Sequence, residues 1–346
     1  MVTAAAALQR VRSSSLIDAI GLLLLAGIIL FLILKFFEDP TRFLNVGIIG
    51  VTNGAIYGLV ALGYTLVYGI LQLINFAHGD VFALSGLVAS TIIISVFGLD
   101  ESTGVVFIVL GLLATLAITI PLFAVLNATI ERIAYKPLRQ APRLAALITA
   151  VGMSFIVQNV ALGLYGVDFE SVPNFIPRTA AITLGDVAIQ WNKLAIFLIV
   201  IPVLILLTWF VRSTRQGKAM RAVAQDREAS AMMGIDVNRT ISVTFFLAGS
   251  LAAVAGLVYL LQFNIRYDTG FELGLIAFTA AVLGGIGNLT GAVLGAMMIG
   301  MVQAFNEGLD GTPGGDWTRS IVFGILIAVL VFRPQGILGE RTPEGA

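Results

Sequence analysis

The sequence predicts an all-α, polytopic integral membrane protein of about ten transmembrane or re-entrant helices, built as an inverted repeat with both termini in the cytoplasm. Three observations carry that expectation. Hydrophobic residues make up 58% of the 346 and charged residues only 12%, against about 25% charge in soluble domains. Charge-free runs follow one another along almost the whole chain. Basic residues gather in some of the connections between those runs, and acidic residues in the others.

A bilayer-spanning helix needs about 20 mostly apolar residues. Runs without a charge occupy 19–34, 43–79, 81–99, 102–130, 144–167, 194–211, 240–265, 273–306 and 320–332. None alternates in polarity as the strands of a membrane barrel would. Arg10 and Arg12 precede the first run and no small-x-small cleavage site closes it, so it is read as a retained first span, 16–37, rather than a removed signal peptide. Threading from that start places 1–15, 131–143, 212–239 and the tail from 333 on one side. These segments hold Arg10, Arg12, Arg132, Lys136, Arg139, Arg143, Arg212, Arg215, Lys218, Arg221, Arg227, Arg239, Arg333 and Arg341, 14 of the 20 basic residues. The opposite side carries Glu38, Asp39, Asp100, Glu101, Asp168, Glu170, Asp186, Asp268, Glu272, Glu307, Asp310 and Asp316. The positive-inside rule makes the basic side cytoplasmic.

Two runs are too long for one crossing. Run 43–79 has Gly54, Gly58, Gly63 and Gly69 and ends in the polar stretch Gln72 to Asp80. Run 273–306 has Gly284-Gly285-Ile286-Gly287-Asn288 and Gly291, which predict a tight hairpin or a re-entrant pair. Glycine-interrupted spans at matching places in two halves are the sequence pointer to an inverted-repeat transport path. The organisation expected is one transmembrane domain over 1–346: first span 16–37, first-half core 43–165, external loop 166–193, cytoplasmic loop 212–239 and second-half core 240–333.

The 20 basic and 20 acidic residues cancel, so no net field draws a nucleic acid, and the lipid bilayer is the partner that composition demands. With no Cys and one His, disulfides, thiolate sites and His metal clusters are excluded, and little remains for a catalytic constellation. No metal, catalytic residue or enzyme activity is expected. The polar groups interrupting the broken spans, Asn53, Tyr57, Asn75, His78, Thr279 and Asn288, are the candidates for lining a path. A second reading of Ile74 to Asp80 is a helix boundary, with Asn75 or Asp80 capping the next span. Gly54-x-x-x-Gly58 and Gly291-x-x-x-Gly295 have the spacing of close helix packing.

In the cytoplasmic loop, residues 218–233 read as one short amphipathic helix stopped by Gly234. Its stripe of Met220, Val223, Ala224, Arg227 and Ala231 lacks Trp, Phe and Leu, which favours docking on a partner protein over lying on lipid. No phosphate-binding loop occurs. The nearest fragment, Gly217-Lys218-Ala219, lacks its first Gly and its hydroxyl. Nor do the membrane runs hold paired acids of the kind proton-coupled carriers use. Energy for uphill transport must come from another polypeptide, or the chain is a passive channel.

From about residue 45 to 339 the chain closely resembles the first permease subunit of the high-affinity branched-chain amino acid ATP-binding cassette importers. The matching stretches are Asn53-Gly54 through Gly69 with its Leu62-Gly63-Tyr64-Thr65-Leu66-Val67-Tyr68-Gly69, then Ile74 to Gly79, Glu131 to Arg139, Ile148 to Gln158, Phe278 to Gly287, and Arg333-Pro334-Gln335-Gly336-Ile337-Leu338-Gly339. Glu228-Ala229-Ser230-x-x-x-Gly234 looks like the loop through which such permeases contact their ATPases. The resemblance implies a coupling role for Arg221, Asp226, Arg227, Glu228, Ala229 and Gly234. The downstream Ile-x-Leu-Pro of the general motif is absent, Thr244-Phe245-Phe246-Leu247 standing there, and the extension before residue 40 departs from the shortest members. The resemblance further implies a bacterial plasma-membrane assembly with a second homologous permease, two ATPases that bind the ATP, and a periplasmic or extracellular binding protein. No cofactor is expected in this chain. Urea or short amides within the same family, or a nucleotide-independent carrier or channel, are the alternative readings.

Overall fold

Hydrocarbon offers backbone N–H and C=O groups no partner, so each crossing must satisfy its own hydrogen bonds. The computed structural model meets that demand with helices. It describes residues 23, 26–139, 141–177, 179–333 and 335–339. Helix α1 covers 26–38. The start of the expected first span lies outside the described residues, as do Arg10, Arg12 and Arg341.

In order follow α2 (Pro40–Leu71), α3 (Ala77–Thr91), α4 (Val105–Ile130), α5 (Arg143–Tyr165), α6 (Trp191–Ser213), α7 (Arg215–Gln225), α8 (Arg227–Met232), α9 (Val237–Leu260), α10 (Thr269–Gly284), α11 (Leu289–Gly308) and α12 (Gly315–Phe332). Wider π turns extend α3 through Ile92–Val96 and α4 through Glu131–Tyr135. Among the described residues eight helices are long and apolar enough to cross a membrane, and α10 is a shorter apolar helix. Between α5 and α6 the chain folds a small antiparallel hairpin, β1 (Ala180–Leu184) with β2 (Val187–Gln190). Gly185, at a φ of 64°, makes its turn.

Local chemistry sets the helix starts. Asp39 caps α2, its carboxylate accepting from the Arg42 N–H at 2.9 Å, with Pro40 at the first helical position. Asp236 caps α9 and Asn288 caps α11 in the same way. Both long runs break in the structure. The first leaves helix at Gln72, left-handed at φ 54°, and resumes at Ala77. The second turns at Gly285 and Gly287, with φ values of 107° and 94°. Phe76 precedes α3 and no side chain caps it, which corrects the boundary reading: neither Asn75 nor Asp80 is a cap.

Helices α2, α3, α9 and α10 form the interior, while α4, α5, α6 and α12 turn most of their surface outward. The most apolar stretch of α2 is 89% buried and that of α12 only 11%. Packing follows a pseudo-two-fold pattern. The largest helix contacts are α2 with α11 and α4 with α9; α3 packs on α5 and α9, and α10 on α12 and α2. Exchanging α2 with α9, α3 with α10, α4 with α11 and α5 with α12 maps these contacts onto one another. Helix α2 enters from the acidic side and α9 from the basic side, so the two sets run oppositely.

At the centre Gly79 and Gly270 meet reciprocally. A Cβ on either would collide with the other's carbonyl oxygen, and one on Gly79 would also lie 2.9 Å from the Gly274 Cα. The spacing of Gly58, Leu66-Val67-Tyr68 and Gly79 recurs as Gly249, Leu257-Val258-Tyr259 and Gly270. Small residues also close the flanks: Gly54 faces the Met297 backbone on α11, and Gly249 the Ala124 backbone on α4.

Candidate translocation path and coupling face

His78 is fully buried and lies against Gly63, with its ring edge-on to Tyr64 at 5.0 Å. Gly63 sits eight residues before the end of α2, roughly 12 Å of helix at 1.5 Å per residue. Segment 72–76 therefore climbs back beside the last turns of α2, and α3 begins inside the bundle. The Val60 backbone lies close by, but neither ring nitrogen of His78 makes a hydrogen bond of normal geometry among the described residues. Asn75, also buried, accepts from the Tyr135 hydroxyl at 2.7 Å, while its amide nitrogen has no partner among the described residues.

Two residues past His78, the Asp80 carboxylate accepts from Gln158 at 3.0 Å and from the Ser154 hydroxyl, both on α5. Sequence reasoning passed over Ser154 and Gln158. The available signal was polarity inside the apolar run 144–167, one helical turn apart.

The other candidates lie elsewhere. Asn53 and Tyr57 are one turn apart on α2. The Tyr57 hydroxyl donates to Gln303 of α11 at 2.5 Å, and the Asn53 side-chain oxygen has no partner among the described residues. Thr279 spends its hydroxyl on the Leu275 carbonyl of its own helix, at 2.8 Å. Asn288 holds the α10–α11 turn, accepting from the Gly291 N–H at 3.0 Å and donating to the Leu338 carbonyl at 2.9 Å. Two more bonds pin the tail to that turn, Ile337 N–H to Leu283 at 2.8 Å and Leu338 N–H to Gly284 at 3.0 Å. The structure thus brings Asn75 and His78 together, and separately Asn53 and Tyr57, but does not gather all six into one site.

On the basic side the expected single helix is two. Asp226 leaves helical geometry, with φ at −152°, and caps α8 by accepting from the Ala229 N–H at 2.9 Å. A side chain that can satisfy the next helix start competes with continuing the old one. The stripe reading is corrected too. Met220 and Val223 are buried in the chain's own core, and Ala231 is exposed. Arg221 donates to the Val211 carbonyl at the end of α6.

Arg227 reaches the Ile70 carbonyl in the last turn of α2 at 2.7 Å, where a cation also answers the helix dipole. Burial lowers its pKa from the ordinary arginine value, with the Arg139 guanidinium adding to the effect. Arginine nevertheless remains charged. What α8 presents outward is Glu228, Ala231, Met232 and Met233, the two methionines more than 80% exposed. Gly234 ends it at φ 82°, with the Ile235 N–H bonded back to the Ser230 carbonyl.

The family model described as "Branched-chain amino acid transport system / permease component" matches residues 48–331. The chain belongs to that family. It is 38% identical over 301 residues to the high-affinity branched-chain amino acid transport system permease protein BraD of Pseudomonas aeruginosa, covering 85% of this chain and 95% of the relative. It is 36% identical over 300 residues to the permease protein LivH of Escherichia coli K12, with the same coverage. A probable LivH of Methanocaldococcus jannaschii is 26% identical over 294 residues, covering 81% and 88%. Among solved structures, PsaBC from Streptococcus pneumoniae in complex with Fab aligns with a TM-score of 0.44 at 14% identity, over 89% of this chain and 97% of that one. Helix α1 falls outside the matched residues of this permease family.

Proposed function

We infer that the chain is the multi-pass permease subunit of a plasma-membrane ATP-binding cassette importer for branched-chain amino acids. The match to the branched-chain permease family over 48–331 carries this reading. Partner ATPases supply the work, an external binding protein delivers the solute, and a second homologous permease completes the membrane part. The exposed tip of α8, Glu228 to Gly234, is the surface offered to an ATPase. Motion imposed there has a short route inward. Arg227 ties α8 to the end of α2, and the next residues are the 72–76 break that carries Asn75 and leads to His78.

Two tests bear on that route. Gly234→Trp strains a left-handed position by about 1–2 kcal/mol in open space, where a Cβ meets nothing within 4 Å; Glu228→Lys reverses an exposed charge. Each should cut ATP-driven leucine uptake at least tenfold while the amount of chain in the membrane holds. Wild-type uptake in both would remove α8 as the coupling surface. Arg227→Ala frees the Ile70 carbonyl and should leave the ATPases assembled and hydrolysing but uptake low. Parallel loss of assembly would point to a merely structural link.

A further inference from the structure

We propose that the corner between α6 and α7 binds the headgroup of an anionic phospholipid through Arg212, Arg215 and Lys218. The inference goes beyond the importer reading and does not depend on it. Helix α6 marks the depth of the bilayer on this chain. Its most apolar stretch is only 22% buried, with Leu198, Ile201, Ile205 and Leu206 all exposed. Trp191 and Trp209 are exposed near its two ends, where amphipathic indoles sit at the two membrane–water boundaries. The helix between these two residues is about 27 Å long at 1.5 Å per residue, against a hydrocarbon thickness of roughly 30 Å. Arg212 follows Trp209 by three positions, so it shares that face of the helix one turn further toward the basic side. It is exposed at the level of the headgroups.

The chain then turns back on itself. Gly217 packs directly on the Phe210 and Val211 carbonyl oxygens, where no Cβ fits, and Thr214 caps α7 by accepting from the Gly217 N–H at 3.0 Å. This corner keeps the first turn of α7, with Arg215 and Lys218, beside the last turn of α6. Helix α7 buries Gly217, Met220 and Val223 in the chain's own core, and Arg215 and Lys218 stand exposed on its open face. None of the three cations forms an ion pair among the described residues. Arg212 makes one long contact, with the Thr290 hydroxyl at 3.4 Å. Guanidinium forks match pairs of phosphate oxygens, and a lysine adds a point charge. A zwitterionic lipid carries its own cation beside the phosphate, so a headgroup with net negative charge gains more from all three. A protein partner fits this corner less well. Docked proteins bury an apolar centre, yet from Phe210 to Ala231 no large apolar side chain is exposed, in contrast to Met232 and Met233 on α8.

The full-length chain, purified in detergent with phosphatidylcholine and a trace of radiolabelled phosphatidylglycerol, gives the test. Label retained per chain is compared among the native protein, the triple variant Arg212→Gln/Arg215→Gln/Lys218→Gln, and Arg132→Gln/Lys136→Gln, which removes exposed cations from the basic end of α4. Retention by the triple variant should fall on the order of tenfold, in keeping with the loss of three cations facing an anionic surface, while the α4 variant should keep close to the native amount. On the native chain, excess unlabelled phosphatidylglycerol should displace the label, and excess phosphatidylcholine or inorganic phosphate should not. Displacement by either of the last two would overturn the proposal without recourse to any variant. So would native-like retention in the triple variant, or equal loss in both variants. If the triple variant keeps its lipid but no longer recovers ATPase subunits on co-purification, the corner is a protein interface and the proposal falls.

Discussion

Gly79→Val and Gly270→Val should each remove nearly all folded protein from the membrane. The two glycines press backbone to backbone at the pseudo-two-fold centre. An added Cβ at Gly79 meets the Gly270 carbonyl and the Gly274 Cα, and one at Gly270 meets the Gly79 carbonyl and lies 2.7 Å from the Asp80 Cα. Main chain cannot rotate aside as a side chain can, so α3 and α10 must separate. Overpacking usually costs about 1–3 kcal/mol, and separating two interior helices at their contact lies at or above the top of that range. A loss of that size consumes a large share of the about 5–15 kcal/mol by which folded proteins are stable. The check is monodisperse recovery in detergent, alongside Gly324→Val, where a Cβ meets nothing within 4 Å. Equal recovery of all three variants would show that the two halves do not depend on this contact.

The second large effect is expected at Arg139. Its guanidinium pairs with Glu131, whose side chain is fully buried, and also reaches Asn238; Ser242 donates to the other Glu131 oxygen at 2.7 Å. The cluster fastens the π-helical end of α4 to the start of α9. Arg139→Ala strands a carboxylate with one hydroxyl, and breaking a buried pair this way costs about 3–5 kcal/mol. Unfolding of the purified chain should begin at a markedly lower temperature. Adding Glu131→Gln to Arg139→Ala should recover much of the loss, because the stranded charge is gone. If the double variant is no more stable than the single, the loss comes from missing packing and not from an unpaired charge.

How much of this was readable in advance depended on the physical source of each signal. Both broken runs were legible, since glycine clusters and the polar stretch Gln72 to Asp80 cannot sit quietly inside one helix. The layering was not. Helices α2 and α12 both read as apolar spans, yet one is buried in protein and the other faces outward, because hydrocarbon and a protein interior accept the same side chains. The inverted halves showed themselves in which helices touch, since their shared residues reduce to a few spaced positions such as Gly58 with Gly249.

In loop 212–239, composition marked helix that ends before Gly234, and the structure has helix there up to Met232. The split at Asp226 escaped because capping is a side-chain choice that propensity does not resolve. Met220 and Val223 were read as a face for a partner, yet the chain buries them itself. Of the path candidates, Asn75 and His78 met as neighbours because four residues of chain hold them close. Thr279 and Asn288 went to backbone duties that only coordinates reveal.

Residues 335–339 close over the α10–α11 turn through three hydrogen bonds, and Gly336 adopts a φ of 74° with its Cα packed against Gly285. During synthesis these residues leave the ribosome after every helix that they fasten. The α10–α11 hairpin must therefore wait, unfastened, until translation has passed residue 339, so a message stalled before that point would yield a chain with a loose α10–α11 turn. Cellular quality control would meet that defect only after α12 had been made.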